Sequence, residues 1–422
     1  MITANLAMSA SRPVNLVAQA SASEHLSPLL KKALMPTKLA GLELPNRIIK
    51  AATFEGRCQD GLAKDSLIDF HEEIVAGGTG MTTVAYCAIE PDGRVMDQMM
   101  WMHENARPQL EKLAARVHQQ GGKLSGQMVH CGNFSQNANF RGKQPLGPSK
   151  MLNLGGLPFG LLRAGEMTER DMSARVQQFY DAAQFMKSCG FDAVEVHVGH
   201  GYGLSQFISP KTNKRTDQYG GSLINRMRFP LRCLDAVRKA VGEEFPILVK
   251  MGLTDGVKGG LKIDGAIEVA AMLDAAGVDC IIPSGGTSSF NPMLLFRGES
   301  LVKGMIENEK NWLMRLGLKL IGPRLFKEYP YQELYFLDGA KRVRDRVSNA
   351  KLCYIGGCSD RASLETVMQE FDFVQLGRAL IKDPDMVKQL AQNADYKNGC
   401  IHCNRCASMI KHPDGVHCVL NN

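Results

Sequence analysis

Short apolar runs rich in β-branched residues alternate along the chain with longer segments in which apolar residues recur every three or four positions. The first pattern is typical of buried strands and the second of amphipathic helices. The alternation occurs eight times and predicts an α/β fold. The predicted strands are Ile48–Phe54, Met81–Ala88, Lys123–Val129, Ala193–Val198, Ile247–Met251, Cys280–Pro283, Cys353–Ile355 and Phe373–Leu376. The predicted helices are Asp65–Ala76, Glu104–Gln119, Thr168–Ser188, Leu223–Val241, Ile263–Ala276, Leu334–Val347, Asp360–Gln369 and Asp383–Gln392.

Repeated strand–helix–strand units favour parallel strand pairing through right-handed crossovers. A closed barrel and an open, doubly wound sheet both satisfy this pattern, and the periodicity does not choose between them. At the third helix, Thr168 and Asp171 have the spacing of a capping box, which predicts that this helix begins there.

Two long segments interrupt the alternation. Phe134–Arg163 is rich in Gly, Pro and Asn, lies between the third strand and the third helix, and is expected to form a lid or a substrate wall. Asn291–Tyr331 carries many large apolar residues among Arg and Lys. It is interpreted as a helical excursion that packs on the barrel or on a second copy. A substrate lid and a helix lying on a membrane surface are the alternatives.

Composition narrows the class of protein. The 422 residues are 44% hydrophobic, enough for one large core. The net charge of +7 is scattered, which argues against a nucleic-acid surface and favours phosphate-bearing small ligands. No apolar run is long enough for a membrane span, and Met1–Glu24 lacks the apolar centre of a signal peptide, so a cytoplasmic protein is expected. The predicted organisation is an arm (1–27), one domain (28–395, with an insertion near 291–331) and a tail (396–422).

The most informative segment is Val194–Phe229. A strand ends there in His197 and His200, with Tyr202 two residues later, and the carboxyl ends of strands are where a (β/α)8 barrel places its chemistry. The sequence HVGHGYGLSQF, followed by SP, NKRTDQYGGS and NR, resembles the signature of the old yellow enzyme family. It is most similar to the branch with bacterial ene-reductases, 2,4-dienoyl-CoA reductase and trimethylamine dehydrogenase, although Gly203 stands where Leu is usual. The resemblance implies a (β/α)8 TIM barrel that binds FMN.

The resemblance also implies catalytic roles. His197 and His200 would donate hydrogen bonds to a carbonyl oxygen, so that hydride from flavin N5 adds to a conjugated alkene. Tyr202 would then supply the proton to the α-carbon. From the residue types alone, a zinc ion on the two histidines and a purely structural tyrosine remain alternatives.

Candidate flavin contacts come from several strands. The loops after the last two strands are the usual phosphate site of such barrels. They carry Gly356 with Gly357, and Gly377 with Arg378 inside LGRALIKDP, a further match to the family. By the same resemblance, the ring would contact Ala52, Thr53, Tyr86, Gln127 and Lys250. Lys250 stands where an Arg is usual, and Phe54 where relatives often carry a small polar side chain.

The chain has twelve cysteines, and in a soluble protein of this size they are expected to be reduced. Four of them cluster near the end as Cys400, Cys403, Cys406 and Cys418. This spacing suits a [4Fe–4S] cluster or zinc, with unligated thiols as the third interpretation. It resembles the cluster motif of dienoyl-CoA reductase and trimethylamine dehydrogenase, which have three residues between the second and third cysteines where this chain has two.

Taken together, the sequence predicts an FMN-dependent oxidoreductase in which NAD(P)H reduces the flavin and an enone or enal reoxidises it. The rival activity is oxidative amine demethylation, as in trimethylamine dehydrogenase. A barrel that binds flavin without catalysis is the third interpretation. The partners of the protein are expected to be small molecules, and the sequence is compatible with a homo-oligomer.

Overall fold

A computed structural model describes residues 26–421, so the predicted arm, 1–27, lies outside the described residues apart from its last two. Eight parallel strands form a closed barrel, because each pairs with the next and the last pairs with the first. We number them β1 (Ile48–Lys50), β2 (Met81–Ala88), β3 (Lys123–Val129), β4 (Ala193–Val198), β5 (Ile247–Gly252), β6 (Cys280–Ser284), β7 (Lys351–Ile355) and β8 (Phe373–Leu376). The predicted TIM barrel is confirmed.

The barrel helices follow the predicted order. They are α1 (Asp65–Ala76), α2 (Arg107–Gln119), α3 (Glu169–Ser188), α4 (Leu223–Val241), α5 (Ile263–Ala275), α6 (Leu337–Arg344), α7 (Arg361–Glu370) and α8 (Met386–Gln392). The capping box of Thr168 and Asp171 opens α3 as predicted.

Several predicted boundaries differ from the structure, and three of them have a local reason. The strand β1 stops at Lys50, because the next residues leave the barrel and line a cleft. The helix α6 begins after Leu334, whose φ of 56° is left-handed and cannot start a right-handed helix. The helix α8 begins after Pro384, because the residue before a proline avoids helical backbone and Asp383 is extended.

The interior of the barrel is apolar at one end and polar at the other. At the amino ends of the strands, inward side chains such as Ile49, Leu248 and Phe373 form a cluster with Leu39 and Leu44. The last two belong to a short hairpin, Thr37–Leu39 with Leu42–Leu44, which closes this end of the barrel. The polar side chains inside the barrel therefore sit toward the carboxyl ends, where the site lies.

The segment Asn291–Tyr331 is helical, with helices at Leu301–Asn308 and Trp312–Leu325. The second helix approaches the first closely at Gly322, where an added Cβ would lie 2.9 Å from Val302 Cγ1. Its outer face leaves large apolar side chains in solvent, with Trp312 70% and Leu320 66% exposed. No helix within residues 26–421 has the length and apolar content that crossing a membrane requires.

The tail folds back over the carboxyl end of the barrel. Val416 N donates to Glu55 O at 2.8 Å, and Arg57 Nη2 donates to Val416 O at 3.0 Å. The short helix Arg405–Ser408 lies against the helix Leu301–Asn308. The tail thereby joins the segment after β1 to the insertion after β6.

Candidate active site

A cleft opens at the carboxyl ends of the barrel strands. Its empty space is about 770 Å³, counted with the open mouth. Predicted site residues that line it are Ala52, Thr53, His200, Lys250, Gly356, Gly357, Gly377 and Arg378. The predicted side chains of Tyr86, His197 and Tyr202 contact His200 or one another beside this lining. Gln127 is joined to Lys250 of the lining through Glu195.

The two histidines and the tyrosine come together as predicted. His197 is the inward residue that pairs with Lys250 in the sheet register, and His200 follows where the chain turns with a φ of 59°. This turn brings the rings of His200 and Tyr202 each to 4.9 Å from the ring of His197, measured between centroids. His200 Nε2 lies 2.8 Å from Ser284 Oγ, and the Tyr202 hydroxyl lies 3.4 Å from that of Tyr86.

Burial sets the protonation of this group. His197 is 2% exposed, and burial lowers its pKa well below the usual value, helped by His200 and Lys250. Burial also lowers the pKa of His200 to about 3, with Lys250 as the second cause. Both imidazoles are therefore neutral at pH 7, and each keeps one N–H to donate. Burial raises the pKa of Tyr202, which keeps its phenol protonated.

Neither ring nitrogen of His197 has a hydrogen-bond partner among the described residues. Buried polar groups without partners are uncommon in folded proteins and often mark a place for a ligand. The donor of His197 is thus available to a ligand oxygen.

An aromatic wall covers one side of this group. The ring of Tyr86 stacks on His197 at 5.9 Å and packs against Phe54 and Tyr202, each at 5.4 Å. The side chain of Tyr86 therefore belongs to the wall beside the histidines. Phe54 extends this wall. Relatives often carry a small polar side chain at this position, so Phe54 adds apolar surface to this side of the site.

The polar interior next to the cleft is organised by Glu195. Gln127 Nε2 donates to Glu195 Oε1 at 2.5 Å, and Gln375 Nε2 donates to Glu195 Oε2 at 2.6 Å. Lys250 Nζ lies 2.8 Å from Glu195 Oε1 and forms an ion pair with it. The contact does not have the geometry of a hydrogen bond. The carbonyl oxygens of both glutamines and the hydroxyl of Thr53 have no partner within residues 26–421.

These atoms fit a flavin ring. Its pyrimidine edge offers one N–H donor between two carbonyl acceptors, so a free amide oxygen can accept from the ring and the ammonium group can donate to a carbonyl. Sequence reasoning missed Glu195 and Gln375. The available signal was that Glu195 lies two residues before His197 in β4, so both side chains point into the barrel.

The end of the cleft that the sequence analysis predicts to hold a phosphate is built from glycines and arginines. Gly357 has a φ of 75°, and a Cβ there would lie 2.8 Å from Gln332 O, so both the conformation and the space require glycine. Arg378 Nη1 donates to Arg297 O at 2.8 Å and to Asn404 Oδ1 at 2.6 Å. The guanidinium of Arg297 also lies 4.9 Å from the ring centre of Tyr335.

The insertion and the tail supply a second set of side chains that the sequence analysis did not single out as site residues, although a substrate lid was one interpretation of the insertion. Leu295, Phe296, Tyr331 and Tyr335, from the insertion and just after it, line the cleft together with His402 of the tail. His402 stacks on Tyr331 with ring centroids 3.3 Å apart. Burial, with Arg378 as a second cause, lowers the pKa of His402 to about 4.

The four cysteines of the tail surround one small cavity beside the cleft. Cys400, Cys403, Cys406 and Cys418 all line it, and Arg378 lines both this cavity and the cleft. Burial raises the pKa of Cys406 to about 12, although Arg378 opposes the rise. Within the described residues, no three His, Cys, Asp or Glu side chains are arranged to hold a single metal ion.

A (β/α)8 barrel with neutral histidines, a buried tyrosine and flavin-matched polar atoms at one mouth defines the class of flavin-dependent oxidoreductases. The chain belongs to the NADH:flavin oxidoreductase / NADH oxidase family, whose family model matches residues 33–287.

Two relatives and one solved structure are similar to the chain over most of its length. The chain is 38% identical over 389 residues to a 4,4'-dithiodibutanoate disulfide reductase of Rhodococcus erythropolis, covering 92% of this chain and 94% of the relative. It is 29% identical over 375 residues to an NADH oxidase of Thermoanaerobacter brockii, covering 87% of this chain but only 52% of that relative. Among solved structures, 2-naphthoyl-CoA reductase in complex with 2-naphthoyl-CoA matches with a TM-score of 0.78 at 23% identity. That match covers 93% of this chain and 57% of that chain and supports the fold alone.

Proposed function

We propose that the chain is an FMN-dependent NAD(P)H oxidoreductase that reduces a carbon–carbon double bond conjugated to a carbonyl group. The observation that carries the proposal is the arrangement of His197, His200 and Tyr202. Two neutral donors lie beside a buried, protonated phenol, at ring distances of 4.9 Å. When bound, FMN accepts hydride from NAD(P)H and passes it to the substrate.

The two histidines hold the carbonyl oxygen of the substrate. Because His197 has no partner among the described residues, its donor is free for this oxygen. His200 is oriented through Ser284. Negative charge grows on the oxygen as hydride arrives at the β-carbon, so fixed donors stabilise the transition state more than the ground state.

Tyr202 supplies the proton to the α-carbon. Its phenol stays protonated because burial raises its pKa, and its hydroxyl lies near that of Tyr86. The wall of Phe54 and Tyr86 excludes water from this side, so proton delivery depends on Tyr202.

A second candidate substrate is an organic disulfide. It is favoured by the Rhodococcus relative, which matches nearly the whole length of this chain and is named as a disulfide reductase. One hydride and one proton convert the disulfide into two thiols, so the electron count equals that of alkene reduction. His197 and Tyr202 would then serve the leaving thiolate instead of an enolate oxygen.

We also propose that the four cysteines of the tail hold a [4Fe–4S] cluster. Their grouping around one cavity supports it, and zinc is the alternative for the same thiols. Arg378 adds a positive charge that favours thiolates at this place.

The two substrate classes can be separated with the flavin-loaded protein under anaerobic conditions. NADPH or NADH is added until the flavin absorbance bleaches, and the reduced protein is then mixed with 2-cyclohexenone or with 4,4'-dithiodibutanoate. Faster reoxidation by the enone supports alkene reduction, and faster reoxidation by the disulfide supports the second candidate. If neither oxidant reacts faster than buffer alone, both substrate proposals are wrong.

A further inference from the structure

The helix Trp312–Leu325 of the insertion leaves one apolar face in solvent. Four large side chains form this face, which we call the outer row: Trp312, Leu313, Leu316 and Leu320. They share one side of the helix, because residues three or four positions apart are neighbours on its surface. None of them is less than 46% exposed. Apolar side chains that are exposed together, unlike scattered ones, mark an interaction surface.

The charges around the outer row are all positive. From 310 to 327 the sequence contains no Asp or Glu and five basic residues: Lys310, Arg315, Lys319, Arg324 and Lys327. Arg315 and Lys319 border the row, because each lies three residues after one of its members. Both are exposed, and neither forms an ion pair within residues 26–421. The apolar face is therefore edged by cations that no carboxylate of the described chain neutralises.

We propose that the outer row is a docking face for a membrane surface that carries anionic lipids. Helices with Trp and Leu on one face and Lys and Arg beside them lie in the head-group region with the apolar face inserted. The phosphates of anionic lipids supply the charge that the unpaired cations lack. The helix Trp312–Leu325 has 14 residues, so it lies along the surface and does not cross the bilayer.

A second copy of the chain matches this face less well. A two-fold dimer places the same patch of each subunit against the other. Arg315 and Lys319 would then approach the same cations of the second copy, and the segment 310–327 has no acidic residue to pair with them. Like charges that are brought together oppose association. An anionic lipid surface is therefore the better-matched occupant.

Binding is measured with the full-length, flavin-loaded chain and sucrose-filled vesicles that are collected by centrifugation. The wild type should bind vesicles of equal parts phosphatidylglycerol and phosphatidylcholine at least about tenfold more tightly than vesicles of phosphatidylcholine alone. Added salt should weaken the binding, because dissolved ions screen exposed charges. Equal binding to both kinds of vesicle, or binding to neither at low salt, would overturn the proposal.

A double variant tests the cations. Arg315→Gln with Lys319→Gln should weaken binding about 25-fold, because each basic residue near an anionic surface contributes about fivefold. Lys341→Gln with Arg342→Gln is the matched control, since these cations of α6 are exposed and already paired with carboxylates. The control should bind like the wild type. Equal losses in the two double variants would show that net charge, and not this face, directs binding, and the proposal would be wrong.

A second double variant tests the apolar face. Leu316→Ser with Leu320→Ser should weaken vesicle binding at least about tenfold. Ile224→Ser is the control, because Ile224 is 64% exposed but lies on α4. All three residues lie outside the cleft lining, so both variants should keep their flavin. A wild-type dimer that the double variant dissociates, without vesicle binding, would assign the outer row to a second copy and overturn the proposal.

Trp312 reports insertion directly and requires no change in the docking face. The chain has two tryptophans, so Trp101→Phe leaves Trp312 as the only one. Its emission should move to shorter wavelength when phosphatidylglycerol-containing vesicles are added, and lipids brominated on their acyl chains should quench it. Vesicle binding with unchanged Trp312 emission would show that another surface docks, and the proposal would then be wrong.

Discussion

Replacing His197 with alanine should remove one hydrogen-bond donor to the substrate oxygen. Neither nitrogen of His197 has a partner in the described residues, so its whole donor capacity is available to the substrate. Loss of one such donor costs about 2.7–4 kcal/mol, or 10²–10³ in rate. His200 Nε2 already contacts Ser284. The His200→Ala variant therefore loses a donor and also the contact with Ser284, so its rate does not report the loss of a donor alone.

The assay is reoxidation of the reduced flavin by 2-cyclohexenone in a stopped-flow instrument. The second-order rate constant should fall about 10²–10³-fold in His197→Ala. Binding of a phenol, read from the long-wavelength absorbance of its complex with oxidised flavin, should weaken as well. His197→Asn retains an N–H donor and serves as the control, with partial recovery expected. Wild-type rate and phenol affinity in His197→Ala would refute the assignment.

Three further predictions test other parts of the site. Tyr202→Phe should slow reoxidation by an enone by about 10²–10⁴-fold and leave flavin reduction by NAD(P)H unchanged; loss of flavin reduction with normal reoxidation would contradict the role of proton donor. The free energy of unfolding should fall as the pH drops from 6.5 toward 3, because His200 has a pKa of about 3 when folded and 6.5 when unfolded, so only the unfolded chain takes up this proton. Above pH 6.5 the contribution of His200 to the free energy of unfolding is complete. The His200→Asn variant should therefore lose less stability as the pH falls. Parallel plots of stability against pH for the variant and the wild type would show that His200 does not contribute. Anaerobically purified protein should contain about four irons per chain, and Cys406→Ser should lower that number; a metal-free, fully active protein with four titratable thiols would contradict ligation.

The barrel could be predicted from sequence because its strands are buried on both faces. Such strands appear as continuous apolar runs, and each is followed by a helix of regular period. The errors fell where a single backbone conformation decides the boundary, as at Leu334 and before Pro384. Short-range patterns do not contain that information.

The candidate site was predictable only where a local motif marks it. His197, His200 and Tyr202 lie within six residues of one another and match a family signature. Glu195 was missed because its partners are distant, 68 residues away for Gln127 and 180 for Gln375. Tyr331 and His402 were missed for the same reason, since only the folded chain brings the tail onto the insertion.

The insertion after β6 meets the cleft at both of its ends. Phe296 near its beginning and Tyr331 at its end line the cleft, and the helices between them lie on the surface. Because the entropy of closing a loop grows slowly with its length, the outer helix Trp312–Leu325 can be shortened, lengthened or replaced at small cost, whereas the helix Leu301–Asn308 is needed to pack against the tail. Grafting this segment from one relative to another is therefore a direct way to exchange the cleft wall without redesigning the catalytic group.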